Sequence, residues 1–209
     1  MKSLPLLGQP PGSEPHGLPL LRLGFRPFYL LAAVAGVVLM PLWWAAFTGH
    51  LSPASGLSPV LWHAHEMLFG LVAAVVVGFV FTAGKTWTGL ATPRGGHLLF
   101  FAALWVAGRL AALLAPYPVF FLIDLVFLPL AAATFADLVL RSNNSRNLIV
   151  VVILALLGAA NLWFHLGASG ALDLNPLAAL HGGLAVLVML ETLIAGRVVP
   201  FFARSVTPG

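Results

Sequence analysis

The sequence predicts an all-α protein, a polytopic transmembrane helical bundle of six spans with both termini cytoplasmic. Three observations predict it. First, 60% of the 209 residues are hydrophobic and only 8% are charged. A soluble domain carries about 25% charged residues, so this chain has too few to cover a water-facing surface. Second, apolar stretches recur at 27–47, 59–84, 96–115, 118–140, 147–166 and 176–199. Each is close to the roughly 20 residues that cross the hydrocarbon core, and in lipid only a helix satisfies its own backbone over that length. Third, the basic residues fall on one side of this six-span arrangement.

Each element has a local reason. The first 22 residues contain Pro5, Pro10, Pro11, Pro15 and Pro19, which break any apolar signal-peptide core. They are expected to form a flexible cytoplasmic tail, with the six-helix transmembrane domain over 23–209. Ser58-Pro59 gives a capping hydroxyl followed by proline at the first helical position, and Asn175-Pro176 repeats the device. "APYP" at 115–118 is a tight turn, and "RSNNSRN" at 141–147 is a short polar loop.

Lys2, Arg22, Arg26, Lys85, Arg94, Arg141, Arg146, Arg197 and Arg204 lie on the side of the termini, and the loops at 48–58, 116–117 and 167–175 contain no Lys or Arg. The positive-inside rule therefore places both ends in the cytoplasm. Trp43, Trp44, Trp62 and Trp163 fall near the outer boundary and Trp87 near the inner one, as an aromatic belt requires. The net charge of +4 comes from dispersed residues, with no basic cluster of the kind that binds nucleic acid. No cysteine is present, so thiolate metal sites and iron–sulfur ligation are excluded.

Arg109 is the one basic residue inside a span, and folding at 115–118 brings it level with Asp124. A charge in the membrane is costly without a partner, so these two are expected to pair, either structurally or as part of a site. His63 and His65 on the second span, His165 on the fifth and His181 on the sixth all fall just under the outer surface, with His50 in the loop nearby. His16 and His97 read as surface residues. Residues two apart on a helix point about 200° apart, so His63 and His65 do not bind one ion together. His63, Glu66 and Met67 share a face, which is expected to point inward and to leave His65 for a different partner. Neutral imidazole suits haem iron and copper; the plain alternative is a hydrogen-bonded packing role. Glu191 reads either as part of a proton path or as a partner of Arg197, and Asp137 with Arg141 as an interfacial pair. Phosphate-loop, dinucleotide, zincin and nucleophile–base signatures are absent.

"GFRPFYLLA" at 24–32, "WHAHEMLFG" at 62–70 with "GFVFTAGKTWTG" at 78–89, and "GRVVPFFARS" at 196–205 together resemble the NnrS family. The resemblance covers residues 22 to 205 and matches the amino-terminal half of the family's members. It implies a bacterial inner-membrane protein of the nitric oxide response that binds haem b and copper. It carries most directly to His63, His65 and Glu66, next to His181 and Arg197. His165 enters on depth alone, and Arg109 as a partner for a haem propionate. Partners implied are membrane lipid and a second copy or another membrane protein supplying the missing half. Two further classes of function fit the composition, a proton-coupled transporter and a membrane assembly partner without a redox cofactor.

Overall fold

The computed structural model describes residues 17–206, so Lys2, His16 and most of the expected tail lie outside the described residues. Six helical segments are long and apolar enough to cross a membrane. They are α1 (Phe25–Phe47), a second span built from α2 (Pro59–His65), a π-helical turn (Glu66–Val72) and α3 (Ala73–Thr88), then α4 (Gly96–Leu114), α5 (Tyr117–Arg141), α6 (Leu148–Ala168) and α7 (Pro176–Val206). There is no strand among the described residues. The predicted spans and these helices agree to within a turn except at the end of α7, which runs past 199 to Val206.

The predicted caps form. The Ser58 side chain accepts from the Leu61 N–H at 3.4 Å, with Pro59 in the first turn. The Asn175 side chain accepts from the Leu177 N–H at 2.9 Å, just before α7 takes over. Of the 1–22 segment, the described end is anchored. Pro19–Leu21 form a 3-10 turn, Arg26 donates to the Pro19 carbonyl at 2.7 Å, and the Gly95 N–H donates to the Leu21 carbonyl at 2.8 Å.

The second span is the axis of the bundle. Its apolar window is 61% buried, against 22% for α1 and 28% for the window of α7. α1 packs on α3, α4 on α5, α5 on α6 and α6 on α7, and α3 also meets α5. α1 and α3 touch through glycines. A Cβ on Gly24 would stand 2.6 Å from the Phe81 Cβ, and one on Gly78 would stand 2.7 Å from the Phe28 Cβ. Bare backbone at both positions lets the helices meet closely, the usual device where lipid offers no hydrophobic drive to hold helices together. Phe28, Phe81, Phe101 and Phe135 fill the arginine-rich half of the core and are fully buried. Trp44 and Trp163 are exposed as a belt requires, but Trp62 is 1% exposed. Trp62 shares the inward face of α2 with His65, so helix phase overrides its interfacial depth.

Candidate functional site

A buried polar cluster sits one to two turns below the arginine-poor end of the bundle. α2 and the π-helical turn supply His65 and Glu66, α4 supplies Arg109, α5 supplies Tyr117 and Asp124, and α6 supplies Asn161 and His165. His65, Glu66, Asp124, Asn161 and His165 are all buried, in a region where water cannot satisfy them.

Most of their polar atoms satisfy one another, and Arg109 Nη1 is buried without a hydrogen-bond partner. Arg109 Nη2 donates to Asp124 Oδ1, as the turn at 115–118 requires. Arg109 Nε lies 3.1 Å from Glu66 Oε2, an ion pair without hydrogen-bond alignment. Asn161 Nδ2 donates to Asp124 Oδ2 at 2.8 Å, and His165 Nε2 donates to the same oxygen at 3.1 Å. Because Asp124 only accepts, the Asn161 amide is fixed with its oxygen toward His65. His65 Nε2 then donates to Asn161 Oδ1 at 3.0 Å, and Nδ1 donates to Glu66 Oε1 at 3.1 Å. Tyr117 Oη donates to His165 Nδ1 at 3.1 Å, which sets His165 as the Nε2–H tautomer. By these partners His65 carries both ring protons. With Arg109 and His65 positive and Glu66 and Asp124 negative, the formal charges cancel. That cancellation is what makes four charged groups tolerable at this depth.

The π-helical turn explains how adjacent residues His65 and Glu66 both reach the core. In an α-helix neighbours point about 100° apart; an i→i+5 turn is wider and closes that angle. The expectation of an inward face made of His63, Glu66 and Met67, with His65 elsewhere, assumed α-geometry throughout. The structure instead turns His65 and Glu66 inward together and leaves His63 half-buried. Gly70 lies in the same turn. A Cβ there would collide with the Arg109 guanidinium, and the bare backbone lets the Gly70 carbonyl accept from Trp105 Nε1 at 2.9 Å.

A protein-family profile described as NnrS protein matches residues 19–208. The chain belongs to the NnrS family. No curated protein and no solved structure matches it.

NnrS proteins are known for binding haem and copper, which makes the fit of each to this cluster a question of geometry. One ligand atom each from His65, Asp124 and His165 lie within 4.8 Å of one another. Two imidazole nitrogens and a carboxylate suit a copper-sized ion, which would take the place of the protons on the two Nε2 atoms. A haem does not fit there. His65 is hemmed by Phe69, Phe120 and Phe164 at ring distances of 5.3, 5.2 and 4.7 Å, and Phe121 stacks on His165 at 4.8 Å. No slot for a macrocycle is left between rings packed to that density.

His63 and His181 stand apart from the cluster but toward the same end of the bundle, and His97 lies at the opposite end. His63 stacks on Trp43 at 4.6 Å with Nδ1 buried and unpartnered. His181 is exposed near the start of α7. Arg197 lies at the opposite end of its span. It donates to Asn147 Oδ1 at 3.0 Å and to the Arg146 carbonyl at 3.2 Å, and sits over the Trp87 ring. Glu191 is exposed on α7, and the Arg197 hydrogen bonds go elsewhere. Asp137 and Arg141 form their predicted pair at 3.2 Å. Sequence reasoning did not single out Asn161 or Tyr117 as site residues. Asn161 carried a signal, since it is an amide in an apolar run four residues before His165 and so shares its face.

Proposed function

We propose that this NnrS-family chain is a metal-binding component of the bacterial inner membrane that acts in the response to nitric oxide. Family membership supports the nitric oxide role. The observation that carries the metal reading is the convergence of His65, Asp124 and His165 in one buried, lipid-shielded group. Copper is the ion this reading assigns to the triad. Imidazole and carboxylate hold Cu(II) in a site closed to water, where bound copper supplies one-electron chemistry. Arg109 and Glu66 hold Asp124 and His65 in place from the far side, as outer-shell partners do at metal centres. Haem is carried by the family alone. Among the described residues, His63 is half-buried and His181 exposed, so both are open to a second copy or another membrane protein.

The test is to purify the full chain in detergent, load it with Cu(II) and record its electron paramagnetic resonance. Nitrogen hyperfine structure from two imidazoles is expected, with loss in His65→Ala and His165→Ala and retention in His181→Ala. Equal copper uptake by the wild type and both cluster variants would sink the assignment. A strain lacking the gene should grow poorly under a nitric oxide donor, and the His165→Ala gene should not restore growth.

A second reading has one observation in its favour. Tyr117, His165 and Asp124 are linked by hydrogen bonds, His65 Nε2 stands 3.4 Å from Asp124 Oδ2, and His65 Nδ1 bonds Glu66, so titratable groups follow one another as a proton relay requires. Proton flux in proteoliposomes that disappears in Glu66→Gln supports that reading.

A further inference from the structure

At the opposite, arginine-rich end a separate polar cavity opens between the start of α4 and the last turns of α5. Its volume is about 490 Å³, and Thr92, Arg94, His97, Thr134, Asp137 and Arg141 supply its polar lining. The loop that carries Arg94 is pinned. Pro93 is buried, Thr92 packs on Gly84 of α3, and the Gly95 N–H is held by the Leu21 carbonyl at 2.8 Å. Arg94 has no hydrogen bond or ion pair among the described residues. Arg141 uses one nitrogen on Asp137, and that pair is weak because the two side chains are 66% and 60% exposed. Two arginines against one aspartate leave the lining with a formal charge of +1.

The same two helices expose large apolar side chains within three residues of lining residues. Leu140 is 64% exposed, and Leu99 and Phe100 are each 53% exposed. A cationic hollow with hydroxyls, flanked by apolar surface in a membrane-spanning bundle, matches a molecule with an anionic head and an apolar tail. Guanidinium groups match phosphate oxygens in a fork geometry, and basic hollows between spans take phospholipid headgroups.

We infer that the cavity between α4 and α5 binds the phosphate headgroup of an anionic phospholipid through Arg94 and Arg141, with Thr92 and Thr134 donating to the phosphate oxygens. The site is independent of the buried cluster. It shares no residue with it and lies at the other end of the same helices.

The experiment is native mass spectrometry of the full chain in detergent, titrated with dioctanoyl phosphatidylglycerol, dioctanoyl phosphatidylcholine or inorganic phosphate. Phosphatidylglycerol is expected to bind more tightly than phosphatidylcholine. Arg94→Gln should weaken it about fivefold, and Arg94→Gln with Arg141→Gln about thirtyfold. Asp137→Asn should strengthen it, because the competing carboxylate is gone. Thermal unfolding of the double variant in detergent should match the wild type, which reports that it is folded, and any copper uptake should be unchanged, which separates this site from the metal reading. Displacement of the lipid by millimolar phosphate identifies the phosphate group as sufficient; failure to displace it shows that the tails are also held, and both outcomes support the site. Equal binding of the two lipids, or wild-type binding of phosphatidylglycerol by a double variant that unfolds at the wild-type temperature, overturns it.

Discussion

The two halves of the second span solve the same packing problem by opposite means. Around α3 the core is dry, and glycines at 24 and 78 let backbones close on Phe81 and Phe28. Around the π-helical turn the core is polar, and it closes because its imidazole, amide and hydroxyl donors meet acceptors, Arg109 Nε faces Glu66 as an ion pair, and the charges cancel. The dry half depends on shape and tolerates small losses of contact gradually. The polar half depends on balance, so removing one member strands another in a place with no water. A protein that needed only stability had the cheaper dry solution available in the same helices. Retaining the polar one favours a functional use for it.

The largest effect should come from unbalancing the polar half. Arg109→Ala leaves Glu66 and Asp124 with His65 as the one cation between them, and should destabilise the protein by about 3–5 kcal/mol. Thermal unfolding in detergent measures it. Adding Asp124→Asn to that variant leaves His65 against Glu66 and restores the balance, so it should recover much of the loss, whereas a pure packing role for Arg109 predicts no recovery. Next comes the dry half. Gly78→Ala puts a methyl group into the Phe28 Cβ and should cost about 1–3 kcal/mol by overpacking, without altering copper uptake. If copper uptake fell with it, the two halves would not be separable.

Tyr117→Phe is a finer probe. It removes the hydroxyl that faces His165 Nδ1 and keeps the ring, so about 0.5–1.5 kcal/mol is expected. The released nitrogen should also change the copper hyperfine pattern if His165 is a ligand. The smallest effect belongs to His181→Ala. An exposed side chain with no contact to the cluster should change stability by less than about 0.5 kcal/mol. A loss as large as that of Arg109→Ala would join His181 to the core and redraw the boundary between the two regions.

The fold was legible because the bilayer imposes one rule on every span, and the starts at Ser58-Pro59 and Asn175-Pro176 carry their own caps. The Arg109–Asp124 pair was legible for a related reason. A short turn fixes how two helices face, and depth can then be counted from it. The partners of His65 were not legible. Counting faces from an α-helical period puts His63 beside Glu66, and nothing in "WHAHEMLFG" announces that the helix widens at Glu66. A shift of one residue per turn was enough to exchange the inward histidine. Asn161 was visible as a lone amide among apolar neighbours, but its role depends on Asp124 arriving from another helix.

The contacts between α4 and the π-helical turn occur in a matched pair. Glu66 meets Arg109 and Gly70 meets Trp105, each four residues apart on its own helix and in reverse order on the other. Sliding either helix by one turn, about 5.4 Å, would undo both at once. Such a double catch is all-or-none. It admits no half-open register, so any event that frees α4 must release the indole and the guanidinium in a single step.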